Sequence, residues 1–253
     1  MDIKELEKEL EALKSANVLW GKSLIACGDS FTEGDFTGFV DSEGKSGKES
    51  DYIFDKEWGV YKTYPWWIAR RNNMRLKNLA KCGGTIAITK EHIAEPDKVE
   101  RDTRRPFSNL TYKNLGDDVD YILIMYGLND SFHTNLGTID DGTNETFYGA
   151  WNVVYKYLIE RYPTAKIGAI VCNGGLKTEY ANAVRETAEK WGIPYLDLQR
   201  DKSVPATLGK EGMGEEAYKM RYDYFRVAKN NGHPNLEAHK YMSSYVEDFL
   251  RKL

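Results

Sequence analysis

Four short polar motifs contain the residue types that acyl transfer requires. They are Gly28-Asp29-Ser30, the stretch from Asn78 to Gly83, Gly127-Leu128-Asn129-Asp130, and His233-Pro234. A serine hydroxyl is a weak nucleophile until a base takes its proton, and histidine is the natural base at neutral pH. Backbone N–H groups and an asparagine amide can stabilise the oxyanion that forms when the hydroxyl attacks a carbonyl. The sequence therefore predicts a site with Ser30 as nucleophile and His233 as base. The N–H groups of Ser30 and Gly83 and the Asn129 amide would be the oxyanion donors.

The first three motifs directly follow, or lie at the end of, short apolar stretches typical of buried strands. Five such stretches occur: Ser23–Cys27, Tyr121–Tyr126, Lys166–Val171, Pro194–Leu198, and Arg75–Ala80, in which apolar and polar residues alternate. Unbroken apolar strands are typical of a parallel sheet covered on both faces. Amphipathic patterns between and after them predict helices over 63–73, 146–162, 178–191 and from 235 to the end. We therefore expect a three-layer α/β/α sandwich with about five parallel strands. Ligands bind outside the carboxyl ends of such strands, where the motifs would meet.

The chain divides into a short N-terminal segment, 1–20, and one larger domain, 21–253. Ile3, Leu6, Leu10 and Leu13 follow the 3-4 spacing of a coiled-coil seam. This helix could pack onto its own domain, or it could form a homo-oligomer or join the chain to a larger assembly. Two polar stretches, near 31–61 and 85–118, interrupt the strand–helix repeat. Long connections of this kind are usually binding loops or lids.

Composition excludes several classes of protein. The 253 residues have a formal net charge of −4 and no Lys/Arg-rich tract, so a nucleic-acid partner is not expected. No apolar run is long enough for a membrane span. The three cysteines are far apart and no metal-ligand spacing occurs, so neither a metal nor another cofactor is expected. The N-terminus lacks the apolar core of a secretory signal, which predicts a cytoplasmic protein, or an extracellular one carried by a larger particle or exported by a non-standard route.

Taken in order, the four motifs resemble the four blocks of the SGNH, or GDSL, hydrolase family over roughly residues 21–253. The resemblance implies a flavodoxin-like sandwich with strand order 2-1-3-4-5 and metal-free ester hydrolysis. It assigns Ser30 and His233 the roles given above and makes Ser30, Gly83 and Asn129 the oxyanion hole. It also implies that Asp29 and Asp130 brace their loops through hydrogen bonds to backbone.

The chain departs from the family pattern at one position. The family usually has an aspartate three residues before the histidine, whereas this chain has Asn230. An amide cannot stabilise a charged imidazole as a carboxylate does. We consider three outcomes: a Ser–His dyad held by Asn230 or a backbone carbonyl, a carboxylate from elsewhere such as Asp223 or Asp201, or a weak or inactive enzyme.

The expected activity is removal of small acyl groups, such as acetyl, from a carbohydrate or another ester. The aromatic residues of the first insertion could form a platform for sugar rings, although core packing would also explain them. Alternatives are a lipase- or lysophospholipase-like esterase on longer acyl chains and a carbohydrate-binding domain with a decayed site. A nucleotide-binding flavodoxin-like protein is disfavoured because no phosphate-binding glycine loop occurs.

Overall fold

The structure, a computed structural model, describes residues 2–97 and 106–253. The second predicted insertion, 85–118, therefore lies partly outside the described residues. The helices are α1 Ile3–Ala16, α2 Ser30–Glu33, α3 Tyr64–Arg71, α4 Lys90–Ala94, α5 Asp130–His133, α6 Phe147–Arg161, α7 Thr178–Trp191, α8 Glu215–Phe225 and α9 Leu236–Lys252. The strands are β1 Ser23–Gly28, β2 Phe54–Asp55, β3 Val60–Tyr61, β4 Arg75–Asn78, β5 Tyr121–Met125, β6 Lys166–Val171, β7 Tyr195–Asp197, β8 Arg226–Ala228 and β9 Asn231–Pro234.

Five of these strands form one parallel sheet in the order β4-β1-β5-β6-β7. Numbered by their place in the chain, these strands have the order 2-1-3-4-5, which confirms the predicted topology. Every residue of β1 and β5 is buried, as their unbroken apolar sequences require. The strand order reverses beside β1, and this reversal opens a crevice at the carboxyl ends of β1 and its neighbours.

Helices cover both faces of the sheet. On one face α3 packs against α9, and on the other α6 packs against α7. Right-handed crossovers place the helices on opposite faces because the chain moves from β1 to β4 in one direction and from β5 to β7 in the other. The large buried side chains between the layers include Trp151, Tyr155 and Phe147 from α6. The three-layer α/β/α sandwich expected from the sequence is confirmed.

Two small antiparallel hairpins, the helix α8 and the short helices α4 and α5 were not predicted from the sequence. The hairpin β2–β3 lies in the first insertion, and the hairpin β8–β9 follows α8 and leads into α9. In α8 only Phe225 is buried, so this helix lacks the apolar stripe by which helices are recognised. The hairpin β8–β9 carries His233, so an element that was missed positions a predicted site residue.

The N-terminal helix α1 has formed, but it buries none of its side chains. Asp2 and Glu5 form a reciprocal capping box at its start, which satisfies two of the free N–H groups of the first turn. In the described part of the chain, no helix has the length and apolar character needed to cross a membrane.

Candidate active site

Ser30 lies where the central strand β1 turns into the short helix α2. Gly28 ends the strand, and a Cβ there would lie 2.3 Å from Thr32 Oγ1 and 2.8 Å from the Met125 carbonyl oxygen, so only glycine fits this close approach. The Asp29 carboxylate accepts a hydrogen bond of 2.9 Å from the Phe31 N–H and caps α2. The turn holds Ser30, only 4% exposed, at the floor of the crevice.

The structure brings Ser30 and His233 into direct contact, although 203 positions separate them in the chain. Ser30 Oγ lies 2.8 Å from His233 Nε2, within hydrogen-bond distance. The imidazole packs edge-on against the Phe31 ring at a centroid distance of 5.5 Å. The fold therefore places together the nucleophile–base pair that acyl transfer needs.

Asn231 holds the other nitrogen of the imidazole. Its Oδ1 lies 3.0 Å from the His233 backbone nitrogen and 2.6 Å from His233 Nδ1. A backbone N–H can only donate, so this bond identifies the atom facing His233 as the amide oxygen. His233 Nδ1 must then carry a proton, and in the neutral ring the lone pair is on Nε2, facing Ser30 Oγ. The amide thus selects the tautomer that can act as a base.

The residue that orients His233 was predicted wrongly. Asn230 lies at the turn of the hairpin near Gly38, Asp223 pairs with Arg226, and Asp201 accepts hydrogen bonds from Ser203. None of the three was found at His233 Nδ1. Asn231 and His233 face the same way because they are two residues apart on β9, and side chains along a strand alternate between its faces. Recognising 231–234 as a strand would have identified Asn231.

A carboxylate does lie near the histidine, and sequence reasoning missed it. Asp35 Oδ2 is 3.7 Å from His233 Nδ1, and Asp35 Oδ1 is 3.2 Å from Asn231 Nδ2. Asp35 belongs to the loop that follows α2. No local pattern links it to the hairpin, since 196 positions separate it from Asn231.

The three predicted oxyanion donors lie on the loops after β1, β4 and β5. In the described residues, neither the Ser30 nor the Gly83 N–H donates to a protein acceptor. Asn129 Nδ2 donates one hydrogen bond of 3.0 Å to the Gly84 carbonyl, which leaves its second N–H for another acceptor. The Lys81 N–H donates to the Gly28 carbonyl at 2.9 Å, so the glycine loop is tied to the loop that bears the nucleophile.

Asp130 joins the loops after β4 and β5. Its fully buried carboxylate accepts the Ile86 and Ala87 N–H groups at 3.0–3.1 Å. Burial raises the pKa of both Asp130 and Asp29 to about 7, and the backbone hydrogen bonds oppose this rise. Asp29 and Asp130 thus each accept hydrogen bonds from backbone N–H groups, as the resemblance implied.

Burial also lowers the pKa of His233 below its usual value of 6.5, and the nearby charge of Asp35 acts in the opposite direction. The imidazole is consequently neutral at pH 7, the form that can accept a proton.

A cavity of about 400 Å³ lies beside Glu33, at the end of α2, and Ser30 and His233 are not among the residues that line it. It lies between the hairpin β2–β3 and the loop after β4, and its walls include Lys48, Phe54, Tyr61, Asn78 and Lys81. Asn78 Nδ2 donates to the Thr32 carbonyl, so this wall is bonded to the helix that begins at Ser30. The walls are mixed polar and aromatic.

Within residues 2–97 and 106–253, no group of three or more His, Cys, Asp or Glu side chains is placed to hold a metal ion.

The three-layer fold is that of a hydrolase, and comparison with known families agrees. The family model of GDSL-like lipases/acylhydrolases matches residues 27–222. The chain belongs to this family, and it is a carboxylic ester hydrolase. A search of curated protein sequences finds no significant match.

Solved structures share the fold at low sequence identity. A protein from Lactobacillus plantarum superposes with a TM-score of 0.63 at 21% identity, over 92% of this chain and 98% of that one. An acetyl xylan esterase from Butyrivibrio proteoclasticus gives 0.51 at 14% identity, over 92% of this chain and 64% of that one. A family two carbohydrate esterase from Clostridium thermocellum, solved in complex with cellohexaose, superposes with a TM-score of 0.51 at 16% identity, over 91% of this chain and 64% of that one. At these identities the likeness shows the fold.

Proposed function

We propose that this protein is a serine esterase that removes small acyl groups, acetyl above all, from a carbohydrate. The observation that carries the proposal is the 2.8 Å contact between Ser30 Oγ and His233 Nε2, with the Nε2 lone pair directed at the hydroxyl by Asn231. It supports an active enzyme over a binding domain with a decayed site.

In the first half of the reaction, Ser30 Oγ attacks the ester carbonyl while His233 Nε2 takes the hydroxyl proton. The Ser30 and Gly83 N–H groups and the free N–H of Asn129 stabilise the oxyanion of the tetrahedral intermediate. The intermediate collapses when the C–O bond to the leaving group breaks. His233 then gives its proton to the leaving oxygen and becomes neutral again, and the acyl group stays on Ser30.

In the second half, a water molecule takes the place of the leaving alcohol. His233 Nε2 accepts a proton from this water as its oxygen attacks the acyl carbonyl. The same donors hold the second oxyanion. Collapse of this intermediate releases the carboxylic acid and returns the proton to Ser30 Oγ, so the enzyme is regenerated.

The walls of the cavity beside the end of α2 favour a polar substrate. Lys48, Lys81 and Asn78 offer hydrogen-bond donors, and Phe54 and Tyr61 offer aromatic surface, which together suit the hydroxyls and C–H faces of a sugar. A long acyl chain would need a predominantly apolar channel instead. The acetyl xylan esterase and the carbohydrate esterase with the same fold act on, or are seen bound to, saccharides, which supports the same substrate class here.

Hydrolysis of p-nitrophenyl acetate by wild type and Ser30→Ala tests the mechanism. We expect Ser30→Ala to lower kcat by a factor of at least about 10³. Ser23→Ala is the matched control, since Ser23 is a buried serine at the other end of β1, where it bonds Asp120. Equal rates for wild type and Ser30→Ala would refute the proposal.

Acyl and leaving-group preference tests the substrate class. We expect kcat/KM to fall along a series of esters from acetyl to octanoyl. We also expect the enzyme to release acetate from acetylated xylo-oligosaccharides. Activity that rises toward octanoyl would instead identify a lipase-like esterase. Tight glycan binding without acetate release would identify a carbohydrate-binding domain.

A further inference from the structure

We propose that Asp35 supplies the negative charge of this site and acts on His233 through the Asn231 amide as a positioning residue. The inference rests on the proposed function and deepens it. The family pattern leads one to look for the carboxylate close before the histidine in sequence, but here it would come from the loop after α2 and act through an intervening amide.

The Asn231 amide uses all its hydrogen-bonding groups. Its oxygen accepts from the backbone N–H and from Nδ1–H of His233, and its nitrogen donates to Asp35 Oδ1 at 3.2 Å and to the Thr37 carbonyl at 2.9 Å. An amide with both ends engaged cannot rotate without losing bonds. The orientation of Asn231, and with it the tautomer of His233, therefore depends on Asp35 and Thr37.

The loop from Gly34 to Gly38 fits closely beneath the hairpin. Gly34 has a φ of +105°, and this left-handed conformation turns the chain out of α2 toward the histidine. A Cβ on Gly38 would lie 3.3 Å from the Ala228 Cβ of β8, so the loop and the hairpin nearly touch. The Thr37 N–H donates to Asp35 Oδ1 at 2.9 Å and fixes the carboxylate in place.

Asp35 carries its charge at neutral pH. Burial would raise its pKa, but hydrogen bonds from Thr37 and Asn231 and the charge of His233 together lower it. Its Oδ2, 3.7 Å from Nδ1, is too distant for a direct hydrogen bond but close enough to stabilise the imidazolium formed during catalysis. Among the residues that the structure describes, the other titratable group that interacts with His233 is His239 on α9, which is buried and neutral.

The test compares Asp35→Asn with wild type in the pH dependence of p-nitrophenyl acetate hydrolysis. Asparagine keeps the size of the side chain and an acceptor for Asn231 but removes the charge. We expect kcat to fall about 10- to 100-fold, less than the 10⁴ seen when a directly bonded aspartate is replaced. The acid limb of kcat/KM should move to lower pH, because the imidazolium loses a stabilising negative charge. Asp41→Asn is the matched control, since Asp41 lies in the same insertion and bonds Glu43, Lys45 and Ser50 instead.

Exchanging the two side chains should restore function. In Asp35→Asn/Asn231→Asp the carboxylate faces Nδ1 directly, and the new amide at 35 donates to it when its nitrogen replaces Oδ1, which gives up the hydrogen bond from the Thr37 N–H. We expect kcat to return to within about threefold of wild type and the acid limb to move to higher pH. A merely structural role for Asp35 would give neither the shift nor the rescue.

Two readouts separate failure of this inference from failure of the proposed function. If Ser30→Ala abolishes activity while Asp35→Asn keeps the wild-type kcat and pH profile, the role of Asp35 is refuted and the esterase stands. If activity does not depend on Ser30, the NMR titration of the His233 ring still measures the Asp35 charge. An unchanged pKa of His233 in Asp35→Asn would then refute the inference.

A second observation independently supports a partner surface on α1. Its four seam residues are strongly exposed: Ile3 75%, Leu6 48%, Leu10 50% and Leu13 70%. We infer that a second copy of this chain covers them in a parallel coiled coil. In the heptad abcdefg of a coiled coil, Ile3 and Leu10 occupy position a and Leu6 and Leu13 occupy position d. Glu9 then occupies position g, and Lys14 occupies position e.

Charge complementarity selects the parallel arrangement. In a parallel pair each Glu9 lies beside Lys14 of the partner subunit, an attractive g–e pair formed twice in the dimer. The preceding pair, Asp2 with Glu7, has like charges, so the attraction is concentrated at the carboxyl end of the helix. There Val18 and Trp20, 53% and 37% exposed, extend the apolar surface. The bond between Lys14 and Glu11 on the same helix is exposed and weak enough to be exchanged.

Sedimentation velocity over a concentration series tests this inference. We expect a reversible dimer that Lys14→Glu weakens about fivefold and Glu9→Lys/Lys14→Glu restores, because only a parallel pair re-forms the salt bridges. Lys8→Glu, on the outer face of the same helix, is the matched control and should leave the dimer unchanged. A monomer at every soluble concentration, or no recovery in the double variant, would overturn the inference.

Discussion

The two sides of the candidate site are built differently. The nucleophile side consists of loops at the ends of β1, β4 and β5, and its aspartates, Asp29 and Asp130, are 2% and 0% exposed. The histidine side consists of a short hairpin and the loop from Gly34 to Gly38, with the side chains of His233 and Asp35 28% and 25% exposed. The sheet fixes one side, whereas side-chain hydrogen bonds fix the other.

This difference predicts where mutations act. On the nucleophile side, the bracing residues bond to buried backbone groups, so their loss should cost folding free energy. On the histidine side, Asn231 and Asp35 bond to each other and to the imidazole at a partly exposed surface. Their loss should therefore change catalysis more than stability.

The largest effect in the proposed mechanism, after loss of Ser30 or His233 itself, should come from Asn129→Ala. Removing one oxyanion donor typically lowers kcat by about 10² to 10³, equivalent to about 3 kcal/mol. Asn129 makes one hydrogen bond to the Gly84 carbonyl, so the variant should stay folded. The measurement is kcat on p-nitrophenyl acetate, with urea unfolding as the control for folding. A kcat within threefold of wild type would remove Asn129 from the oxyanion hole.

Asp130→Ala should have the largest effect on stability. It would leave the buried N–H groups of Ile86 and Ala87 without acceptors and cost about 3 kcal/mol in the free energy of unfolding. Asp35→Asn, on the other side, should cost less than about 1 kcal/mol. Urea unfolding of both variants measures the contrast, and equal losses would contradict the distinction between the two sides.

The contrast between the nucleophile side and the histidine side also explains which site residues could be predicted from the sequence. Ser30 and Asn129 follow the unbroken apolar strands β1 and β5, and Gly83 follows the alternating strand β4. These patterns predict the sheet and therefore which loops meet. Asp130 could likewise be placed, because it is adjacent to Asn129 in a motif at a strand end.

The partners of His233 could not be predicted in this way. Asn230 was chosen by its spacing from the histidine, but the chain there forms a strand, in which alternate residues face the same way. The hairpin has no apolar pattern to reveal it. Asp35 reaches the histidine through tertiary packing of two irregular segments, for which one sequence contains no signal.

The smallest predicted effect concerns His239, which lies beneath the histidine side. Neither ring nitrogen has a hydrogen-bond partner among residues 2–97 and 106–253. The ring packs against Phe36 and Tyr64, and burial lowers its pKa to about 3. An unfolded chain would protonate this residue near pH 6.5 while the folded chain would not, so acidification favours unfolding. Between pH 7.5 and 5.5 this single group should lower the free energy of unfolding by about 1.4 kcal/mol.

His239→Leu should remove that loss. Urea unfolding of wild type and variant at both pH values gives the contribution as a difference, in which the titration of Asp29 and Asp130, common to both proteins, cancels. The variant should therefore gain about 1.4 kcal/mol relative to wild type on going from pH 7.5 to 5.5. If the difference between the two proteins is the same at both pH values, His239 is charged or hydrated in the folded state. The histidine side would then be open to solvent well below its surface, and its order could not depend on the hydrogen bonds of Asn231 and Asp35 alone.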